Sequence, residues 1–293
     1  MTSVHQPVML KQAIEYLNVQ PGEAYFDATV GGGGHAQAIL AAGGRLYGID
    51  RDPQAVRLAR ERLTASYPQG GWQVNQADFV DLKTAVQVFK LNQFSGILFD
   101  LGLSSDQLAD RQRGFSFQLD GPLDMRMDPV LNVTAADLLK VLNKGELYEL
   151  FKKLGEEKRA LRLAQAIIDA RQQTPITTSK QLADLAMSVC AGRRGKLHPA
   201  TKMFQALRIA VNDELNNLKA ALPQAIDLLK AKGRLVVISF HGLEDRIVKH
   251  CFKDLAVEGV IRLLTKKPIQ PELVEVKANP RARSAKLRAA EKV

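Results

Sequence analysis

A short apolar run, Tyr25-Phe26-Asp27-Ala28-Thr29-Val30, enters the turn Gly31-Gly32-Gly33-Gly34-His35 and leaves it through the helix-compatible Ala36-Gln37-Ala38-Ile39-Leu40-Ala41-Ala42. A second apolar run, Tyr47-Gly48-Ile49, then delivers a single acid, Asp50. Strand, glycine turn, helix and a strand ending in an acid together make a nucleotide-cofactor site, and they restrict the chain to an α/β fold. Glycines allow positive φ and let a ligand approach main-chain N–H groups that a Cβ would block. The acid is placed to accept from ribose hydroxyls.

Two cofactor classes share this layout. Gly31-x-Gly33-x-x-Ala36 satisfies the G/A form of the dinucleotide fingerprint, with Asp50 near the expected offset of ~20 residues, so NAD is a competitor. Asp27 and Thr29 argue against it, because a dinucleotide strand is usually apolar up to its turn. Those polar groups suit a ligand with a charged amino-acid end, and S-adenosylmethionine has one.

At 293 residues with 46% apolar and 25% charged content, the chain has the composition of a globular protein of one large or two ordinary domains. No run approaches the ~18 apolar residues that would span a bilayer. Its start, Met1-Thr2-Ser3-Val4-His5, lacks the basic and apolar character of a signal peptide, which implies a cytoplasmic location. Cys190 and Cys251 stand far apart, so neither a disulfide framework nor a thiolate zinc site is expected. Asp120, Asp124 and Asp128 lack calcium-loop spacing and surround Arg126, and no metal is expected there.

The formal charge is +10. Such a surplus suits either a polyanionic partner or a merely basic surface, and its clustering favours phosphate contacts. Arg193, Arg194, Lys196, Lys202 and Arg208 lie in a stretch from Leu185 to Asn212 that holds no acid. The tail from Lys277 adds Lys277, Arg281, Arg283, Lys286, Arg288 and Lys292 against the single acid Glu291.

Strands are expected at 25–29, 45–50, 72–76, 96–100 and 233–240. Helical patterns lie between the early ones: Asp52-Pro53 opens one, and 81–90 carries apolar residues at Leu82, Ala85, Val86 and Phe89. Alternation of this kind predicts a mostly parallel sheet with helices on both faces. Ligands of such sheets bind beyond the carboxyl ends of the strands, where the glycine loop, Asp50 and Asp100 all fall. From Asp100 to Gly233 the gap exceeds one crossover helix, so an all-α segment is inserted. Thr134-Ala135-Ala136-Asp137 reads as a capping box, Ser179 as a helix cap, and Phe204, Leu207, Val211, Leu215, Leu218 and Leu222 as one long amphipathic helix. The expected divisions are 1–133 for the first part of the sheet domain, 134–212 for a helical substrate-recognition insertion, and 213–293 for the second part with a basic tail.

Further motifs carry a resemblance: Asp100-Leu101-Gly102-Leu103-Ser104-Ser105-x-Gln107, Arg113-Gly114-Phe115-Ser116-Phe117, Asp120 through Asp128, Gly155-Glu156-Glu157, His198-Pro199-Ala200-Thr201 with Phe204 through Ile209 and Val211-Asn212, Ser239-Phe240-His241 with Leu243 through Arg246, and Asn279 through Ser284. In this order, over nearly the whole length, they resemble the bacterial RsmH family, also called MraW, of small-subunit ribosomal RNA cytosine-N4 methyltransferases. Gly242 and Ala36 depart from it where serines are usual. The resemblance implies a Rossmann-like class I methyltransferase fold with a helical insertion, S-adenosylmethionine as cofactor, and small-subunit RNA near the decoding centre as substrate.

Carried over residue by residue, the family's cofactor contacts fall on Gly33, Gly34 and His35, on Asp50 at the ribose, on Phe79 beside the adenine, and on Asp100 and Gln107 near the reacting end. Asp78 suits the adenine amino group. Phe79 read without the resemblance is ordinary core. Asp100 is the best-placed acceptor for the cytosine amine, with Ser104 and His241 behind it, and His241 serves equally well as a structural histidine. Arg281 and Arg283 join the basic residues 193–208 as phosphate contacts. An NAD-dependent oxidoreductase and a non-catalytic ribosome-assembly protein that binds RNA stand as alternatives, and monomer and homodimer are both open.

Overall fold

The computed structural model describes residues 7–190 and 198–293. In chain order the first elements are α1 (Leu10–Leu17), β1 (Ala24–Asp27), α2 (Gly34–Ala41), β2 (Arg45–Asp50), α3 (Pro53–Ser66), β3 (Trp72–Gln76), α4 (Leu82–Ala85) and β4 (Phe94–Asp100). Six helices follow: α5 (Ser105–Ala109), α6 (Ala135–Val141), α7 (Lys144–Lys153), α8 (Ala160–Gln173), α9 (Ser179–Cys190) and α10 (Thr201–Asn212). The chain ends with α11 (Glu214–Asp227), β5 (Leu229–Ser239), α12 (Gly242–Val257), β6 (Ile261–Leu263), α13 (Leu273–Ala278) and β7 (Lys286–Lys292). Among the described residues no helix is long and apolar enough to cross a membrane.

Two compact units result, Met1–Gly102 with Leu215–Val293, and Leu103–Glu214. The second begins at Leu103 and not at the expected 134, and the reason is packing. Phe115, Leu123, Met125 and Met127 are buried in the same core as Leu147, Leu163 and Leu207.

The first unit holds a seven-stranded sheet of order β3-β2-β1-β4-β5-β7-β6. Strands β1 to β5 pair in parallel, and β7 runs antiparallel to both β5 and β6. Successive strand residues point to opposite faces, and here they enter two separate cores. Phe26, Ile97, Phe99, Leu235 and Val237 pack with α11 and α12, whereas Tyr25, Leu98, Val236 and Ile238 pack with α1, α2 and α3. That two-sided burial explains why these strands read as unbroken apolar runs. Truncating a side chain such as Phe99, 0% exposed, to alanine would cost about 3–5 kcal/mol.

Several expectations are corrected. The helix foreseen at 81–90 is broken into α4 and flanking 3₁₀ turns at Phe79–Asp81 and Gln87–Phe89. The single long helix after Pro199 is two, α10 and α11, because Asp213 at φ +48° turns the chain. Ser179 does not cap α9. Its hydroxyl binds the Leu119 and Gly121 main chain, and Thr178 Oγ1 accepts the Gln181 N–H instead. The end of the basic tail, read as a phosphate-contacting stretch, forms β7, where Arg288 Nε and Lys286 Nζ donate to Asp245 at 2.7 and 3.2 Å.

In the second unit, several of the motif residues named above do structural work. Buried Asn212 accepts the Met127 N–H through Oδ1 and donates to the Met125 carbonyl through Nδ2, fastening the 123–127 loop to α10. Both Asp124 oxygens accept from the Arg126 guanidinium. A Cβ on Gly155 would stand 2.7 Å from the Lys202 and Phe151 carbonyl oxygens, so only glycine permits that approach.

Candidate cofactor site

Order reverses between β1 and β4, so a crevice opens at the carboxyl ends of these strands. Each neighbouring strand ends there in an acid: Asp27 on β1, Asp50 on β2 and Asp100 on β4.

The loop after β1 is stitched to both neighbours. Toward β4, the Ala28 N–H donates to the Leu98 carbonyl, and the Thr29 hydroxyl accepts the Asp100 N–H at 2.6 Å. Toward β2, Val30 N–H donates to the Ile49 carbonyl and Gly31 N–H to Asp50 Oδ2, both at 2.9 Å. Asp50 Oδ1 accepts the Asp52 N–H. Asp52 in turn caps α3 ahead of Pro53, as its sequence predicts. Gly33, at φ +78°, is the left-handed residue that starts α2, and a Cβ there would lie 3.3 Å from the Ala59 Cα.

Burial dominates the electrostatics. It pushes the Asp27 carboxyl up to about 7, the opposing Thr29 N–H bond notwithstanding, with Asp50 adding repulsion. Asp50 is pushed to about 6, again by burial, although the Asp52 and Gly31 N–H groups favour its charge. Asp100 stands well above the carboxylate range through burial and then repulsion from Asp27 and Glu244. Its Oδ1 is buried without a hydrogen-bond partner among the described residues. Across from its other oxygen sits His35, with Nδ1 3.4 Å from Asp100 Oδ2 and Nε2 3.1 Å from the Val8 carbonyl.

A cluster of this kind gains by receiving positive charge. A cationic ligand would let these carboxylates ionise and would find an unmet acceptor in Asp100 Oδ1. An anionic pyrophosphate would meet repulsion at the same place. The crevice therefore fits S-adenosylmethionine, which carries a sulfonium and an ammonium, better than a dinucleotide.

The adenine-side candidates follow β3. Asp78 Oδ1 accepts the Val80 N–H, and Oδ2 lies 3.2 Å from Arg51 Nη2. Phe79 is half-buried, its ring meeting the edge of Phe99 at 5.6 Å. At the end of β5, His241 is the N-cap of α12: its Nδ1 accepts the Glu244 N–H, while Glu244 Oε2 accepts the Phe240 and His241 N–H groups. Capping is thus the role that the structure gives His241. Glu244, unremarked in the sequence, raises Asp100 through space; its place in a motif next to the β5 end was the available signal.

In the second unit, Ser104 and Gln107 form a reciprocal capping box on α5, with the Ser104 N–H donating to Gln107 Oε1 and the Gln107 N–H to Ser104 Oγ. Lys202 Nζ donates to the Glu156 carbonyl. Arg208 corrects the phosphate expectation, since its Nε and Nη2 donate to Glu214 at 2.8 Å each and its charge is neutralised there. Arg193, Arg194 and Lys196 lie outside the described residues. In the first unit, Arg281 and Arg283 are exposed on the 3₁₀ turn Pro280–Ser284, which Asn279 caps.

The sequence pattern of the MraW methylase family matches residues 2–293. Among relatives, a Thermomicrobium roseum protein named ribosomal RNA small subunit methyltransferase H is 48% identical over 311 aligned residues, covering 100% of this chain and 95% of its own. A protein of the same name from Trichlorobacter lovleyi is 46% identical, covering 99% and 98%. Another, from Acidobacterium capsulatum, is 45% identical and covers 98% of each chain.

Proposed function

The chain belongs to the MraW methylase family, and from that premise we propose that it methylates the exocyclic N4 of a cytosine in small-subunit ribosomal RNA near the decoding centre, in the cytoplasm, using S-adenosylmethionine. The observation that carries this reading is the meeting of three strand-end carboxylates, Asp27, Asp50 and Asp100, around the glycine loop, all raised by burial and so suited to a cationic cofactor.

Asp50 would hold the ribose, the Gly33-Gly34-His35 main chain the amino-acid end, and Asp78 and Phe79 the adenine, with Asp100 and Gln107 toward the reacting group. When bound, the cofactor supplies an electrophilic methyl group on its sulfonium. The protein must orient the acceptor. A cytosine amine delocalises its lone pair into the ring, and an acceptor on its N–H bonds turns that pair outward. Asp100, with an unmet carboxyl oxygen, is the acceptor we assign. Orientation of this kind supplies up to ~7–11 kcal/mol of rate enhancement. The methylated amine must shed a proton, and Asp100 paired with His35 is placed to hold it. Arg281, Arg283, Lys202 and the 193–196 segment would bind phosphates, which position an RNA and do not specify its sequence.

The test is incubation with labelled S-adenosylmethionine and small subunits lacking the modification, followed by nucleoside mass spectrometry. N4-methylcytidine is the expected product. Label on a ring carbon or on protein, or binding of NADH in place of S-adenosylmethionine, overturns the reading.

A further inference from the structure

Three of the motifs that carry the resemblance hold no residue assigned to the cofactor, and they meet in one place. The His198 ring lies on the Phe117 ring with centroids 4.5 Å apart and planes 10° from parallel, and Phe204 abuts Phe117 edge-on at 5.5 Å. Phe204 is buried, Phe117 half-buried and His198 exposed, so the rings step from the core of the second unit out to solvent. Among the described residues no other ring stacks on His198.

Its orientation is fixed. His198 Nδ1 accepts the Ala200 N–H at 3.2 Å, and its carbonyl accepts the Thr201 N–H at the start of α10. Because Nδ1 is an acceptor, the ring proton sits on Nε2, leaving a donor at the outer edge of the stack. The first turn of α10 carries no acid, and Lys202 one residue on is hydrogen-bonded only to a main-chain carbonyl, so no carboxylate of the described residues cancels its charge. A flat, solvated ring with a fixed edge donor beside positive charge suits an unpaired nucleotide, its base extending the stack and its phosphate near α10.

We propose that His198, backed by Phe117, is a stacking platform for an unpaired base of the RNA substrate. The inference rests on the RNA-methyltransferase reading. The competing role is to hold the turn before α10 through the Ala200 N–H, and the two separate by substitution: phenylalanine keeps the stack and loses that hydrogen bond, whereas asparagine keeps an acceptor for it and loses the stack.

The experiment titrates the full-length protein into a single-stranded RNA decamer bearing central 2-aminopurine, reading fluorescence and Kd for wild type, His198→Phe, His198→Asn and His198→Ala. Binding of S-adenosylmethionine by each variant reports that it is folded. Wild type and His198→Phe should quench the probe and bind alike, while His198→Asn and His198→Ala should lose quenching and bind roughly 5- to 150-fold more weakly, the range for one stacked base. Absence of quenching by wild type, or full affinity in the asparagine variant, overturns the proposal. If wild type methylates small subunits and all variants bind alike, only the platform fails. If wild type quenches and does not methylate, the enzymatic reading fails and the platform stands.

Discussion

His35 is held between the Val8 carbonyl, 3.1 Å from its Nε2, and Asp100 Oδ2, 3.4 Å from its Nδ1. A carbonyl only accepts, so the Nε2 proton is committed to Val8. Nδ1 faces Asp100 Oδ2, placed to accept a proton from the acid or to donate one to its carboxylate. This joins the helix that begins at the glycine loop to the acid at the end of β4 through a single side chain.

His35→Leu should therefore destabilise the protein by about 1–3 kcal/mol, the cost of leaving a buried polar partner unmet. Urea unfolding at neutral pH checks this. A variant with the midpoint and slope of the wild type would show that the contact has no energetic content.

Asp27 makes the ligand-free protein sensitive to pH in a stated direction. Its folded pKa, about 7, lies above the unfolded value of about 3.9. The folded state thus holds the proton more tightly, and this contribution is fully present below pH ~4 and lost as pH rises through about 7. The slope is roughly 1.4 kcal/mol per pH unit across that window. Asp27→Asn keeps an oxygen for the Thr29 N–H and cannot ionise. The variant should be the more stable protein at pH 8 and should converge on wild type near pH 4, as read by thermal unfolding. Parallel stability profiles for the two proteins would contradict the assignment.

Cofactor affinity should depend on pH with the opposite sign. A cationic ligand favours ionised Asp50 and Asp27, whose ligand-free values are about 6 and about 7. As pH falls below 7 the ligand must displace protons, and affinity should weaken about tenfold per pH unit for each proton released. Calorimetry in buffers of different ionisation enthalpy measures that release directly. Asp50→Ala should also weaken binding roughly 10- to 150-fold through loss of charge-assisted hydrogen bonds. A dissociation constant flat from pH 5.5 to 8 would remove the electrostatic case for this crevice.

Much of this site is local in sequence, and that is why it can be read there. Asp27, Gly33 and Asp50 belong to one strand-turn-helix-strand unit, and apolar runs buried on both faces mark β1, β2 and β4. What escapes is what depends on distant partners. Lys286, Arg288 and Lys292 look like a phosphate-gripping tail, yet the first two both pair with Asp245, and Lys292 donates to the Asp227 and Leu229 carbonyls. The long helix is broken at Asp213, although its apolar spacing continues across the break, because periodicity does not record a single positive φ. His241 reads equally well as a secondary acceptor for the cytosine amine and as a structural histidine, and its geometry with Glu244 makes it the cap of α12. The Phe117 and His198 motifs are separated by some eighty residues, and no local pattern announces their stack.

Arg208 and Lys202 stand on the same helix and look equivalent as candidate phosphate contacts, yet their surroundings assign them different work. Arg208 makes a bidentate pair with Glu214, and the two side chains are 13% and 10% exposed. Removing one member of a buried pair strands the other charge, at about 3–5 kcal/mol. Lys202 is half-buried and bonded to a carbonyl, so its loss strands no charge. Arg208→Ala should lower the thermal midpoint sharply, and Arg208→Ala with Glu214→Ala should recover part of the loss. Lys202→Ala should leave the midpoint within a few degrees and weaken RNA binding, with a salt dependence reduced by close to one phosphate contact. The opposite pattern, a stable Arg208 variant that loses RNA affinity, would return Arg208 to the RNA-binding surface and show that its pairing with Glu214 gives way to phosphate.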